Sequence, residues 1–201
     1  MISTIAFDYS GVMEVTERNI VSEISEYLHI SIEEWHSVYY SLVHLCNTGE
    51  KTWNEVALLT SEKLGASQEQ LSHIEELMRF NALSKKVNGG LVEIIKKLKP
   101  HYKIILISNY PPHLREKLKK QNLLELFDDV IISGEVGVQK PDPEIFMLAC
   151  KRLTISPTEL IFVDDSANSL KSSKTVGYAP LLYISNEQLE DDLQKLLPNF
   201  S

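Results

Sequence analysis

Asp8 stands at the end of the apolar run Ile2-Ser3-Thr4-Ile5-Ala6-Phe7 and is followed at once by Tyr9-Ser10-Gly11-Val12. A strand that buries its apolar residues and then delivers a carboxylate to a glycine-containing turn has the form of a catalytic strand end in an open α/β sheet. Three other segments carry polar residues at comparable places: Ser108-Asn109 after Ile104-Ile105-Leu106-Ile107, Lys140 in Gly137-Val138-Gln139-Lys140-Pro141-Asp142-Pro143, and Asp164-Asp165 after Ile161-Phe162-Val163. The carboxyl ends of parallel strands share one edge, so these distant residues can form one pocket holding carboxylates, a cation and a hydroxyl. That set suits phosphoryl transfer. Two or three carboxylates can hold Mg²⁺ through hard oxygen ligands, Mg²⁺ with Lys140 can offset phosphoryl charge, and Ser108 can donate a hydrogen bond. Asp8 is then free to attack phosphorus.

Taken singly, each residue has a plainer reading. Asp8 suits a turn, Asp164-Asp165 the N-terminal region of a helix starting near Ser166, Lys140 a solvated loop, and Ser108-Asn109 a turn. Their order and common sheet edge favour the functional reading.

The elements that must position these groups fall into two kinds. After Asp8 the pattern turns helical: Ile20, Ile24 and Leu28, then Trp35, Val38, Leu42 and Leu45, share helical spacing. Ser31 with Glu34, Thr52 with Glu55 and Ser67 with Gln70 are capping boxes, and Val56, Leu59, Leu71, Ile74, Leu77 and Met78 supply apolar faces. Residues 14–85 are expected to form an all-helical cap inserted into a core of residues 1–13 and 86–201. From Asn88 onward short apolar strands alternate with helices, which favours an α/β, Rossmann-like parallel sheet covered on both faces. Strands are expected at Lys103–Ile107, Asp129–Ile132, Leu160–Val163 and Pro180–Tyr183. Asp142-Pro143 opens one helix, Gly177 ends the helix beginning near Ser166, and Ser185 opens the last. A cap inserted after the first site strand suits closure over substrate and exclusion of water.

Composition narrows the partners. A 201-residue chain with 43% hydrophobic and 24% charged residues can bury a sizeable core. A net charge of −8 and no dense Lys/Arg cluster argue against nucleic acid or an anionic membrane as partner, and no apolar run is long enough to span a bilayer. Cys46 and Cys150 lie far apart without metal-ligand spacing, and the N-terminus carries no basic leader, so reduced thiols in a cytoplasmic protein are expected. The six histidines show no ligand spacing, and no heptad or apolar stripe declares an oligomeric state.

Asp8-Tyr9-Ser10-Gly11-Val12, Ser108-Asn109, Lys140-Pro141-Asp142-Pro143 and Asp164-Asp165-Ser166 resemble, in order, the four signature motifs of the haloacid dehalogenase-like (HAD) hydrolase superfamily. The resemblance covers most of the chain. It implies a Rossmann-like core, in one branch with a helical cap after the first motif, and a Mg²⁺-dependent phosphatase of a small phosphorylated metabolite. It makes Asp8 the nucleophile that becomes an aspartyl-phosphate, and Ser108 with the Asn109 backbone the phosphoryl binders. Lys140 pairs with Asp8 and the phosphoryl group, Asp165 ligates Mg²⁺, Asp164 assists, and the Ser10 carbonyl completes the protein's ligands. In the cap, the segment Asn47–Trp53 joins two helices, and Trp53 is a candidate substrate contact, with packing of the cap as its alternative.

One position departs from the family pattern. Phosphatases in it usually carry a second Asp two residues after the nucleophile, where this chain has Ser10. A serine hydroxyl cannot act as general acid and base at neutral pH, and losing that group typically slows a reaction by about 10²- to 10⁴-fold. Two alternatives therefore stand: a HAD-scaffold binding or regulatory protein with little turnover, and a 2-haloacid dehalogenase, which needs no acid at this place. Dehalogenases resemble one another in lacking the paired acids of the fourth motif, so Asp164-Asp165 favours metal and phosphate.

Overall fold

The computed structural model describes residues 1–198 and Phe200. In chain order the elements are β1 (Thr4–Phe7), β2 (Glu14–Val15), α1 (Ile20–Leu28), α2 (Ile32–Asn47), α3 (Trp53–Lys63), α4 (Gln68–Ser84), β3 (Lys86–Val87), α5 (Gly89–Leu98), β4 (Lys103–Ser108), α6 (Leu114–Lys120), β5 (Asp129–Ile132), α7 (Ser133–Val136), α8 (Pro143–Leu153), β6 (Leu160–Asp164), α9 (Ser173–Val176), β7 (Ala179–Leu182) and α10 (Asn186–Leu196). The chain divides into two compact units, residues 1–15 with 87–201 and residues 16–86.

The first unit is an α/β fold around a parallel sheet of order β5-β4-β1-β6-β7. Strand alternation sorts the apolar side chains to two sides. Ile5, Phe7, Ile104, Leu106, Ile161 and Val163 pack with Leu91, Ile95, Leu114 and Leu189 of the helices on one face. Ala6, Ile105, Ile107, Leu160 and Phe162 pack with Ile145, Phe146 and Ala149 of α8 on the other. Both faces are thus covered, which is why the strands are nearly uninterrupted apolar runs. The chain runs outward from β1 to β4 and β5, then returns to the other side of β1 as β6 and β7. β1 therefore stands where the strand order reverses, the place at which open α/β sheets bind ligands.

The second unit holds α1 to α4. All three anticipated capping boxes are present, with the Ser31, Thr52 and Ser67 side chains accepting from the N3 amides of Glu34, Glu55 and Gln70. Trp35, Ile24, Ile74 and Met78 form the centre of its core. Trp53 opens α3 half-buried and packs against that core and against the cluster of Leu42, Cys46 and Val56.

Two expectations need correction. No helix begins near Ser166. Asp164 Oδ1 accepts from the Ser166 amide at 2.7 Å, and three-residue turns follow, Ser169 N to Ser166 O and Ser173 N to Leu170 O, so that helix is confined to Ser173–Val176. Residues 166–172 offer Leu170 as their one large apolar side chain, too little to fix a longer amphipathic face. The last strand starts one residue early, at Ala179, with Pro180 tolerated because β7 is an edge strand. Both cysteines are buried and unbonded. Among the described residues no helix is long and apolar enough to cross a membrane.

Candidate active site

Parallel register brings three of the four segments to one edge, and the Lys140 segment, which follows no strand directly, reaches them as the loop between α7 and α8. Phe7 is level with Leu106 of β4 and Val163 of β6, so Asp8, just past β1, and Ser108 and Asp164, the last residues of β4 and β6, share the carboxyl end of the sheet. One carboxylate oxygen from each of Asp8, Asp164 and Asp165 lies within 4.8 Å of the others. Adjacent ligand oxygens of an octahedral Mg²⁺ with bonds of about 2.1 Å lie about 3.0 Å apart and opposite ones about 4.2 Å, so this hard-oxygen set holds the ion by drawing inward around it.

Lys140, only 4% exposed, lies among these acids. Its Nζ donates to Asp164 Oδ2 at 2.6 Å and forms an ion pair with Asp8 Oδ1 at 2.8 Å, without hydrogen-bond alignment to the latter. The ammonium also lies 5.0 Å from the centre of the Phe162 ring, a favourable cation–π placement. Burial alone would lower the Lys140 pKa, but the charges of Asp8 and Asp164 more than offset it and the pKa is raised. The lysine therefore stays charged.

Asn109 explains how that lysine is held. Its amide grips the Lys140 backbone from both sides, Nδ2 donating to Lys140 O and Oδ1 accepting from Lys140 N, each at 2.8 Å. The side chain is thus committed to the lysine loop, which leaves the Asn109 backbone for a ligand. Ser108 Oγ is buried, the residue being 1% exposed, and has no hydrogen-bond partner among the described residues. A buried hydroxyl without a partner is costly and calls for an acceptor such as a phosphoryl oxygen.

Gly11 is required twice over. Its φ of +81° favours glycine, and a Cβ there would lie 2.1 Å from Asp165 Oδ2, so the Asp165 carboxylate packs against bare backbone. Ser10 itself is exposed. The structure therefore brings Asp8, Lys140, Asp164 and Asp165 together, with Ser108 and Asn109 on the neighbouring strand end, while Trp53 belongs to the four-helix unit.

Crowding of like charge shows in the acids. Desolvation, then the charge of Asp8, pushes Asp164 up to about 6. Asp165 is pushed up to about 7, first by desolvation of the carboxylate lying against Gly11 and then by Asp8 and Asp164. Both folded-state values exceed the ordinary value for Asp of about 4. Between roughly pH 4 and 7 the folded chain thus holds more protons than the unfolded one, and the contribution of this pair to stability falls as pH rises. A divalent ion must displace those protons at acid pH and relieves repulsion at alkaline pH. The expected result is that Mg²⁺ raises the melting temperature more at pH 8 than at pH 5. An equal rise at both would contradict the charge-crowding account.

A family model described as haloacid dehalogenase-like hydrolase matches residues 2–177. A phosphorylated carbohydrates phosphatase of Thermotoga maritima is 30% identical over 107 residues, 52% of this chain and 49% of that protein, so the chain spans about half the length of this relative. Among solved structures, a HAD family enzyme of Bacteroides thetaiotaomicron in complex with magnesium and inorganic phosphate superposes with a TM-score of 0.60 at 21% identity, covering 92% of this chain and 95% of that one. A 2-haloacid dehalogenase of Pseudomonas syringae superposes with a TM-score of 0.62 at 14% identity, covering 98% of this chain and 100% of that one. Likeness at such identities speaks for the fold alone. The family match spans most of the sequence and contains every one of the four strand-end segments, and on that ground the chain belongs to the haloacid dehalogenase-like hydrolases.

Proposed function

We propose that this chain is a Mg²⁺-dependent phosphatase acting on a small phosphorylated metabolite through an aspartyl-phosphate on Asp8. The observation that carries the reading is the convergence of three carboxylates on one point beside a buried lysine and a partnerless serine hydroxyl. Asp8, Asp165 and the Ser10 carbonyl would hold Mg²⁺, assisted by Asp164, and the ion would neutralise phosphoryl charge. The Asp8 carboxylate attacks phosphorus and the ester P–O bond breaks, leaving the phosphoryl group on Asp8, while the departing oxygen takes its proton from water. Ser108 Oγ donates to a phosphoryl oxygen, and Lys140 offsets the charge that develops there. Water then cleaves the acyl phosphate and restores Asp8. Choice among phosphate esters is assigned to the inserted four-helix unit, Trp53 included. The Thermotoga relative named for phosphorylated carbohydrates supports this chemistry.

Paired acids at Asp164 and Asp165 argue against a dehalogenase, and release of chloride or bromide from 2-haloacids tests that reading directly. Ser10 favours a second outcome, a scaffold that binds phosphorylated ligands with little turnover. A screen of phosphorylated metabolites with Mg²⁺ separates the two: phosphate release supports the phosphatase, whereas tight binding with total inactivity supports the binding protein.

The leaving group is where Ser10 should matter. Its exposed hydroxyl cannot protonate an alkoxide at neutral pH, so Ser10→Asp supplies the missing general acid. Hydrolysis of alkyl phosphates is expected to rise about 10²-fold or more, and that of aryl or acyl phosphates, whose leaving groups need no proton, far less. Equal gains on both classes would remove the leaving-group explanation.

A further inference from the structure

Glu14 is a charged residue only 5% exposed, six positions after Asp8, and the phosphoryl chemistry above makes no use of it. Its backbone closes the turn that follows the nucleophile: Gly11 N donates to Glu14 O and Glu14 N to Tyr9 O, both at 2.8 Å, and Ser10 forms a β-bridge with Glu14. Its carboxylate is anchored far away in sequence. Lys117 of α6 places Nζ 2.7 Å from Oε1 and 2.9 Å from Oε2, and the Tyr9 hydroxyl donates to Oε1 at 2.9 Å. The same ammonium lies 5.2 Å from the Tyr9 ring centre and 5.8 Å from that of Tyr110, two rings that meet edge to face at 5.6 Å. Tyr110 follows Ser108-Asn109, and its backbone is pinned by Ser133 Oγ and the Gly134 amide.

We propose that Glu14 and Lys117 are a positioning pair that fixes the Tyr9–Glu14 turn, with its Ser10 carbonyl and the Gly11 face against Asp165, in register with the Ser108–Tyr110 segment. Neither residue touches the reacting atoms. They act through the turn: an ion pair with a buried carboxylate, a half-buried ammonium and aromatic walls costs desolvation and returns orientation, which is what a metal site needs from the groups behind its ligands. The part concerning Mg²⁺ rests on the function proposed above.

The test uses Glu14→Gln, Lys117→Met and the double variant in the full chain. Calorimetric titration with Mg²⁺ alone is expected to show affinity about 10-fold weaker in each single variant, the scale on which groups behind metal ligands act, and the double variant no worse than the weaker single. Amide hydrogen exchange of residues 9–15 should be severalfold faster in the metal-free variants, with β4 and β6 unchanged. Turnover of an aryl phosphate should fall in kcat with KM little changed. Lower melting temperatures with parental Mg²⁺ affinity and parental exchange in residues 9–15 would overturn the proposal, because the pair would then stabilise the fold without shaping the site. If the parent protein binds no Mg²⁺, the phosphatase reading fails by itself, while the exchange measurement still decides whether the pair holds the turn.

Discussion

Asp8→Asn is expected to abolish phosphate release, lowering turnover at least about 10⁴-fold, the scale on which removal of a catalytic nucleophile acts. An amide is a far poorer nucleophile than a carboxylate and a weaker ligand for a hard cation. The same substitution should leave the metal-free protein as stable as the parent or more so. Asp8 is one of three carboxylates gathered within 4.8 Å, and its removal leaves Lys140 still bonded to Asp164 at 2.6 Å. Loss of activity with no loss of stability marks a residue kept for chemistry against the interest of the fold. The checks are a metal-dependent assay of aryl phosphate hydrolysis and a melting curve without metal. Rapid acid quench should in addition trap a phosphoryl group on the Asp8 peptide of the parent and none on that of the variant. Turnover at the parental rate would refute the assignment of Asp8, and an unfolded variant would refute the claim that its charge is a burden.

What sequence could reveal of this site follows from how each part is encoded. Asp8, Ser108 and Asp164 sit at the ends of apolar strands, so period and position announced them, and parallel pairing did the rest. The capping boxes were legible because each lies within four residues. The strand order was hidden, since pairing between strands about a hundred residues apart leaves no local signature. The expected helix at Ser166 failed because residues 166–172 offer one large apolar side chain, Leu170, and so no amphipathic face to hold a longer helix against the sheet. The Asn109 backbone is legible as a phosphoryl contact from its motif, but the hold of its side chain on the Lys140 peptide, 31 positions away, has no local signature. Glu14 and Lys117 were invisible for the same reason: 103 positions separate them, and each alone reads as an ordinary charge.

Lys140→Met is expected to damage the protein in the opposite sense from Asp8→Asn. Methionine nearly matches the length of the lysine and fills the space beside Phe162, but it withdraws the cation lying within 2.8 Å of both Asp8 and Asp164. Three carboxylates then face one another in a site where Asp8 and Asp164 are buried. Removing one partner of a buried ion pair costs about 3 to 5 kcal/mol, and here two partners are left. The loss should be greater at pH 8 than at pH 5, since Asp164 and Asp165, pushed up to about 6 and about 7, can take up protons at the lower pH and shed the repulsion. Mg²⁺ should restore part of the melting temperature, because a divalent ion among the acids supplies the missing positive charge. It should not restore turnover, expected to be down about 10²- to 10³-fold, the effect of removing one fixed donor from a developing oxyanion. A variant that melts like the parent at pH 8 without metal would make Lys140 an ordinary buried lysine. The two substitutions, on atoms 2.8 Å apart, should thus silence the same reaction while moving stability in opposite directions, a result that fits a site where one cation restrains three acids and that a purely structural ion pair would not give.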